Sequence, residues 1–348
     1  MDYSRAVAEP PQPGRDRRPT LADVAARAGV STALVSTVMR DVPGASAATR
    51  QRILQAAEDI GYRPDSRARL LRSNRSRLIG VTFGVQHAFH GDLVSGLYEA
   101  ADAQGYEIAL SAVTPRRDER RAVGSLLQDR CEAMILLGPE SRVRYLAELA
   151  ERCPVVVVAR AVNDRAVDVV RTADDEGLRQ AVDHLVALGH RRIAHVDGGR
   201  APGAAQRRRG YRQAMHRHGL DAEIHIVPGG LTEEDGAEAA RELLALTPRP
   251  TAVAVFNDRS ATGVLDVFRK AGLFVPQDIS VVGFDDSRLA RLSHVDLTTV
   301  AQDAGRMARL AVGRAIDRLD GTATGGREIV IPPRLIRRGT TAKVRSIG

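Results

Sequence analysis

Apolar positions along the chain follow two different rhythms. Between Thr20 and Pro64 they recur every three or four residues in short blocks, the spacing of amphipathic helices. Thr20 is placed as an N-cap with Asp23 three residues on, and Leu21, Val24, Ala25 and Ala28 then form a stripe that Gly29 stops. Ser31 caps a second short helix, with Leu34, Val35 and Val38 inward and Thr32, Ala33, Ser36 and Thr37 outward. Two helices about a tight turn containing glycine make a helix-turn-helix. A third helix, capped by Ser46, packs through Ile53, Leu54, Ala57 and Ile60 and ends at Gly61 and Pro64.

From Leu78 onward the rhythm changes to short apolar runs separated by helical stretches. Strands are predicted at Leu78 to Phe83, Glu107 to Ala112, Ala133 to Leu137, Val155 to Ala159, Arg192 to Val196, Ala252 to Phe256 and Ile279 to Phe284. The helices between them fall near 92–104, 174–188, 207–218, 234–246 and 259–271. This alternation means parallel βαβ units, either one large sheet or two smaller ones, with ligands expected at the carboxyl ends of the strands. Between the two rhythms, Asp65 to Leu71 is a short arginine-rich segment with helical potential, and a polar run to Arg77 follows. It is the candidate hinge. Residues 1–18 hold three prolines and no periodic apolar pattern, the composition of a disordered leader.

Composition narrows the function. With 43% hydrophobic and 27% charged residues over 348 positions, the chain reads as a globular protein of two or more domains. No apolar run approaches the roughly 20 residues that span a bilayer, and the N-terminus has no signal-peptide pattern, so a cytoplasmic protein is expected. The net charge of +8 is uneven: residues 1–77 carry +6 and the remainder +2. A basic N-terminal domain suits neutralisation of nucleic-acid phosphates, or else a solvated surface rich in arginine. The two cysteines, Cys131 and Cys153, form no disulfide framework and no metal-ligand spacing.

The motifs decide between these. The run PTLADVAARAGVSTALVSTVM at 19–39 resembles the helix-turn-helix of the LacI-type (lactose/purine repressor) family. The resemblance continues through SAATRQRILQAAEDIGYRP at 46–64, HLVALGHRRIAHV at 184–196, FRKAGLFVPQDISVVGFDDSRLA at 268–290, LTTV at 297–300 and LIRRGTT at 335–341, in the family's order. It implies a helix-turn-helix headpiece with a hinge helix, followed by an α/β core of two subdomains like a periplasmic binding protein. The expected divisions are a leader over 1–18, a DNA-binding domain over 19–64, a hinge helix and linker over 65–77, an effector-binding core over 78–342 and a tail over 343–348. Within the core the first subdomain is expected at 78–172 and 301–327, and the second at 173–300 and 328–342.

The resemblance also implies the sites. In the second helix Thr32, Ala33 and Thr37 are expected on base edges in the major groove, with Thr20, Ser31 and Ser36 on phosphates. Ala68, Arg69 and Leu71 match the family's hinge pattern, and Leu71 is expected to wedge into a central minor-groove step. Arg207, Asn257, Asp258 and Asp285 fall at effector-binding positions, a guanidinium fork facing acceptors suited to a sugar or nucleoside. His87, Phe89 and His90 occupy the loop where the family commonly has N-P-F-F, a departure that alters the usual sugar pocket.

Enzymatic readings find no support. The glycines of DGGRAPG at 197–203 lack dinucleotide-binding spacing, no P-loop or nucleophile elbow occurs, and His184, His190 and His195 do not share a helix face. Neither cofactor nor metal is expected. A transport sugar-binding protein of the same core would need a signal peptide and no headpiece. The expected partners are therefore a near-palindromic double-stranded DNA operator, a small-molecule effector and a second copy of the chain, with no membrane and with the protein held at the nucleoid through DNA.

Overall fold

The structure, a computed structural model, describes residues 19–39, 42–62, 75–323 and 327–345. The predicted hinge, with Arg69 and Leu71, lies outside the described residues. The chain divides into two compact units, one up to Arg75 and one from Ser76.

The first unit holds three helices, α1 (Leu21–Ala28), α2 (Thr32–Met39) and α3 (Ala47–Asp59). Thr20 and Asp23 cap α1 reciprocally, the Thr20 N–H donating to Asp23 Oδ2 at 2.7 Å. Gly29 then takes a left-handed φ of 61°, which turns the chain through 107° into α2. Val24, Val35, Val38, Ile53, Ala56 and Ala57 form the buried centre. Leu54, expected in that face, is 49% exposed. The 3.6-residue turn places Ile53, Ala56 and Ala57 on one stripe and rotates Leu54 off it.

The second unit contains two sheets of six strands each. The first is ordered β11-β5-β4-β3-β1-β2, from β1 (Leu78–Gly84), β2 (Glu107–Val113), β3 (Ala133–Leu137), β4 (Val155–Val158), β5 (Asp168–Thr172) and β11 (Glu328–Ile331). The second is ordered β12-β10-β9-β8-β6-β7, from β6 (Ile193–Val196), β7 (His225–Val227), β8 (Ala252–Val255), β9 (Ser280–Asp285), β10 (Thr298–Ala301) and β12 (Arg334–Ile336). Every pairing is parallel except β10 with β12.

Helices cover both faces of each sheet, so the strands read as continuous apolar runs. On the first sheet these are α4 (Ala88–Asp102), α5 (Glu119–Gln128), α6 (Val143–Ala150) and α11 (Ala304–Leu319). On the second they are α7 (Asp174–Ala187), α8 (Ala204–Arg217), α9 (Glu233–Ala245) and α10 (Asp258–Lys270). The helix α7 approaches α8 so closely that a Cβ on Gly210 would stand 2.1 Å from the Asp175 carbonyl oxygen. Only glycine fits there.

The chain passes between the two layers three times, after β5, after β10 and after β11. The last passage corrects the sequence reading, which moved to the second subdomain at 328. Glu328 to Ile331 instead pairs parallel with Val169 to Thr172 and completes the edge of the first sheet, so the passage follows Ile331. An edge strand as short as this, with residues already polar at Glu328, carries too weak a pattern to be assigned before its neighbour is known.

Candidate functional site

In the headpiece, α2 buries Val35 and Val38 and leaves Thr32 and Ala33 exposed at its N-terminal end, with Ser36 and Thr37 half-buried beside them. The Thr37 hydroxyl donates to the Ala33 carbonyl at 3.0 Å, which leaves its oxygen only acceptor capacity. Ser31 accepts from the Leu34 N–H at 3.3 Å, and the Thr20 hydroxyl donates to Asp23 Oδ2 at 2.7 Å. The Arg27–Asp59 pair at 3.1 Å and Arg52, donating to the Ala28 carbonyl, tie α1 to α3. The helix that presents the outward row, α2, is held through Val35 and Val38 in the centre it shares with α1 and α3.

In the second unit the carboxyl ends of both sheets face a common cleft. Arg207, on the first turn of α8, is 5% exposed. Its Nε donates to Asp174 Oδ1 at 2.8 Å and its Nη1 to the Phe256 carbonyl at 2.6 Å. The guanidinium carbon lies 3.5 Å from the centre of the Phe284 ring and 4.5 Å from that of Phe256. Asp285, at the end of β9, stands 3.9 Å from the guanidinium and accepts from Gln302 Nε2 at 2.8 Å. Its φ of 117° is one that L side chains rarely adopt, a strain of roughly 1–3 kcal/mol that the flanking strands impose.

Burial pushes the Asp285 carboxyl up to about 8, and the nearby Asp258 adds to this while Arg207 opposes it. Burial likewise lifts Asp258 to about 7, against hydrogen bonds from Thr299 and Ser287. Asp174 is raised by burial as well, in spite of Arg207. One guanidinium thus faces more carboxyl groups than it can neutralise, and at least one of them holds a proton at neutral pH.

On the opposite wall His87 and His90 stack with ring centres 4.4 Å apart. His90 Nδ1 accepts from the Gly84 N–H at 3.0 Å, which leaves the proton of the neutral ring on Nε2, beside Gly138. Burial, with Arg207 and Arg259 nearby, lowers His87 to about 4, and burial with His87 holds His90 well below its ordinary value. Both rings are neutral hydrogen-bonding groups at physiological pH. Arg259 of α10 reaches across and donates to the Gln86 carbonyl at 2.9 Å, joining the two walls at the mouth.

The structure brings His87, Phe89, His90, Arg207, Asn257 and Asp285 to one end of the cleft, with Gln302. Phe89 is mainly a core residue of the first layer, 6% exposed, with only an edge at the cleft. Asn257 has both polar ends engaged, as N-cap of α10 to the Ser260 N–H and as donor to the Leu231 carbonyl. Asp258 does not reach the cleft: it is fully buried, accepts from Thr299 Oγ1 at 2.5 Å and from the Ser287 N–H at 2.7 Å, and so anchors the turn that carries Asp285. Sequence reasoning missed Asp174 and Gln302. Asp174 lies just past the crossing from the first layer to the second, and Gln302 directly follows β10, whose pairing with β9 sets it beside Asp285.

A helix-turn-helix unit in one chain with a two-layer core that has ligand-type chemistry between its sheets defines a DNA-binding regulator with a periplasmic-binding-type sensor. Comparison with known proteins agrees. Residues 20–65 match the family of bacterial regulatory proteins, lacI family, and residues 182–341 match the periplasmic binding protein-like domain. The transcriptional regulator GalS of Salmonella typhimurium is 33% identical over 328 residues, covering 93% of this chain and 96% of its own. A LacI transcriptional regulator from a Rhodococcus species superposes with a TM-score of 0.75 at 52% identity, over 77% of this chain and 99% of that one. The lac repressor dimer bound to operator and the anti-inducer ONPF gives 0.79 at 29% identity, over 94% of this chain and all of that one. The chain belongs to the LacI family: it is a DNA-binding transcription regulator and not an enzyme.

Proposed function

We propose that the chain is a repressor that reads a near-palindromic double-stranded operator as a homodimer, in the cytoplasm. Its operator affinity is set by a small polar metabolite of the sugar or nucleoside class held between the core subdomains. The observation that carries the reading is Arg207, a guanidinium buried at the cleft and clamped by Asp174 and two aromatic faces. A group fixed in this way is pre-organised to receive ligand hydroxyls, with Asp285 and the two neutral histidines as further partners. The lac repressor dimer, solved with operator and an anti-inducer, supports the same division of labour.

In the headpiece, Thr32, Ala33 and Thr37 read base edges, and Thr20, Ser31 and Ser36 contact phosphates, while Arg69 and Leu71 of the hinge act in the minor groove. Ligand binding changes the relative population of two core arrangements, and operator affinity follows. The test is selection of genomic fragments by the purified protein at moderate salt, with a scrambled duplex as control. A palindromic consensus supports the reading, and sequence-blind binding contradicts it. Arg207→Ala is then expected to abolish the effector response while operator binding persists.

A further inference from the structure

Outside the three crossings, one side chain joins the two layers of the core. Arg259, the second residue of α10, donates from Nη1 to the Gln86 carbonyl of the first layer at 2.9 Å and from Nε to Glu233 Oε2 of its own layer at 2.6 Å. Among the described residues no other side-chain hydrogen bond or ion pair passes from layer to layer away from the crossings. Arg259 stands outside the lining of the cleft, so it is placed to hold the walls and not to touch a ligand.

Both ends of this contact are rigid. In the second layer α9 and α10 meet backbone to backbone: a Cβ on Gly236 would overlap the Ser260 carbonyl oxygen, and one on Gly263 that of Glu233. Asn257 caps α10 through the Ser260 N–H and donates to the Leu231 carbonyl, which ties the start of α10 to the loop before α9. In the first layer Gln86 sits in a tight turn, where the His87 N–H donates to the Gly84 carbonyl at 3.2 Å and the Val85 N–H to the Val113 carbonyl at 3.3 Å. The next residue, His87, stands at the N-cap of α4 and faces the cleft. With Nε engaged by Glu233, the guanidinium plane is fixed and Nη1 is aimed at Gln86, so little side-chain freedom remains to be lost when the walls meet.

We propose that Arg259 is a positioning residue, a latch that holds the two layers together at the mouth of the cleft with no ligand bound and seats the turn of Gln86 and His87 against the second layer. A charge-assisted hydrogen bond at a part-exposed site shifts a two-state equilibrium by about three- to tenfold, enough to decide which arrangement of the core predominates when the two are close in free energy. The acceptor is a backbone carbonyl, so the contact does not depend on the side chain at position 86, and only the donor and its brace can be altered.

Hydrogen exchange of the full chain without ligand, read by mass spectrometry, measures the latch. The peptides that report it cover 138–142 and 199–203, loops of the two layers that approach at Gly138 and Pro202 and make no hydrogen bond with Arg259. Arg259→Ala should speed their exchange about threefold or more. The Arg259 charge is also felt at His87, which burial, Arg207 and Arg259 together lower to about 4, so a second variant separates the charge from the fork. Arg259→Lys keeps the charge but has no planar fork to bridge Glu233 and Gln86, and should behave as Arg259→Ala does. Glu233→Gln, which removes the charge of the brace, should speed exchange less.

The latch is overturned by unchanged exchange, by faster exchange confined to residues 231–236 and 257–262 around the substituted side chain, or by Arg259→Lys exchanging as the unaltered chain does. Acceleration spread evenly through the second layer with a lowered unfolding midpoint also overturns it, because a merely structural role would show in that way. The consequence for DNA rests on the effector reading, in which operator affinity follows the arrangement of the core. Unliganded Arg259→Ala should then differ from the unaltered chain by about threefold or more in Kd for the operator that fragment selection yields. Faster exchange with an unchanged Kd keeps the latch and removes that coupling.

Discussion

Asp174 Oδ1 accepts from Arg207 Nε at 2.8 Å, and both side chains are buried, although the two residues sit on different helices 33 positions apart. Asp174 opens α7 just after the chain leaves the first sheet, so the ion pair couples a crossing between layers to the floor of the cleft. Asp174→Ala leaves a buried guanidinium with one fewer partner, and is expected to cost about 3–5 kcal/mol. Urea denaturation measures it. A loss below about 1 kcal/mol would show that Asp285 alone can hold Arg207.

The same neighbourhood sets a pH profile. Burial raises Asp258 and Asp285 to about 7 and about 8 from 3.8, so the folded protein binds protons that the unfolded chain has released. Their contribution is full below about pH 4 and is lost as pH rises toward 8, at up to about 1.4 kcal/mol per pH unit for each proton. Buried histidines act in the opposite sense. Burial lowers His87, His90, His184, His190 and His195 below 6.5, so the unfolded chain binds more protons as pH falls through 6.5 and stability is lost on acidification. Five histidines outweigh two carboxyls below about pH 6.5, and only the carboxyls act above it. Stability should therefore peak near neutrality. Asp285→Asn should flatten the alkaline limb and steepen the acid limb, because this carboxyl no longer opposes the histidines between about pH 4 and 6.5; parallel alkaline limbs in denaturation series from pH 6.5 to 8.5 would refute the assignment.

Gly210 carries a packing prediction that reaches the cleft. A Cβ 2.1 Å from the Asp175 carbonyl oxygen meets backbone, not a side-chain end that can swing away. Gly210→Ala must push α8 from α7, and Arg207 rides on the same helix one turn earlier. We expect a loss of about 1–3 kcal/mol together with a weakened effector response. Unchanged thermal stability would mean that the two helices slide apart freely.

For the hinge, Leu71→Ala is expected to weaken specific operator binding while non-specific, salt-sensitive binding stays nearly intact, since the wedge acts only where a base step opens. Equal losses in titrations against operator and scrambled duplex would contradict that role.

Local chemistry along the chain was enough to mark the headpiece helices, because caps such as Thr20 with Asp23, the stop at Gly29 and the stripe of Val35 and Val38 are decided within a turn or two. The central strands β3 and β4 were equally legible, since both are buried on both faces and must be apolar throughout, whereas the interior strand β5, with Asp168 and Arg171 in it, was not read. The peripheral strands β7, β10, β11 and β12 were not, being three or four residues long and defined by their neighbours rather than by a period. Motif spacing pointed to Arg207 and Asp285 as residues, but their chemistry came from tertiary structure. Only the crossing after β5 brings Asp174 to Arg207, and only the pairing of β9 with β10 sets Gln302 beside Asp285, so that carboxyl groups and a guanidinium share one desolvated space.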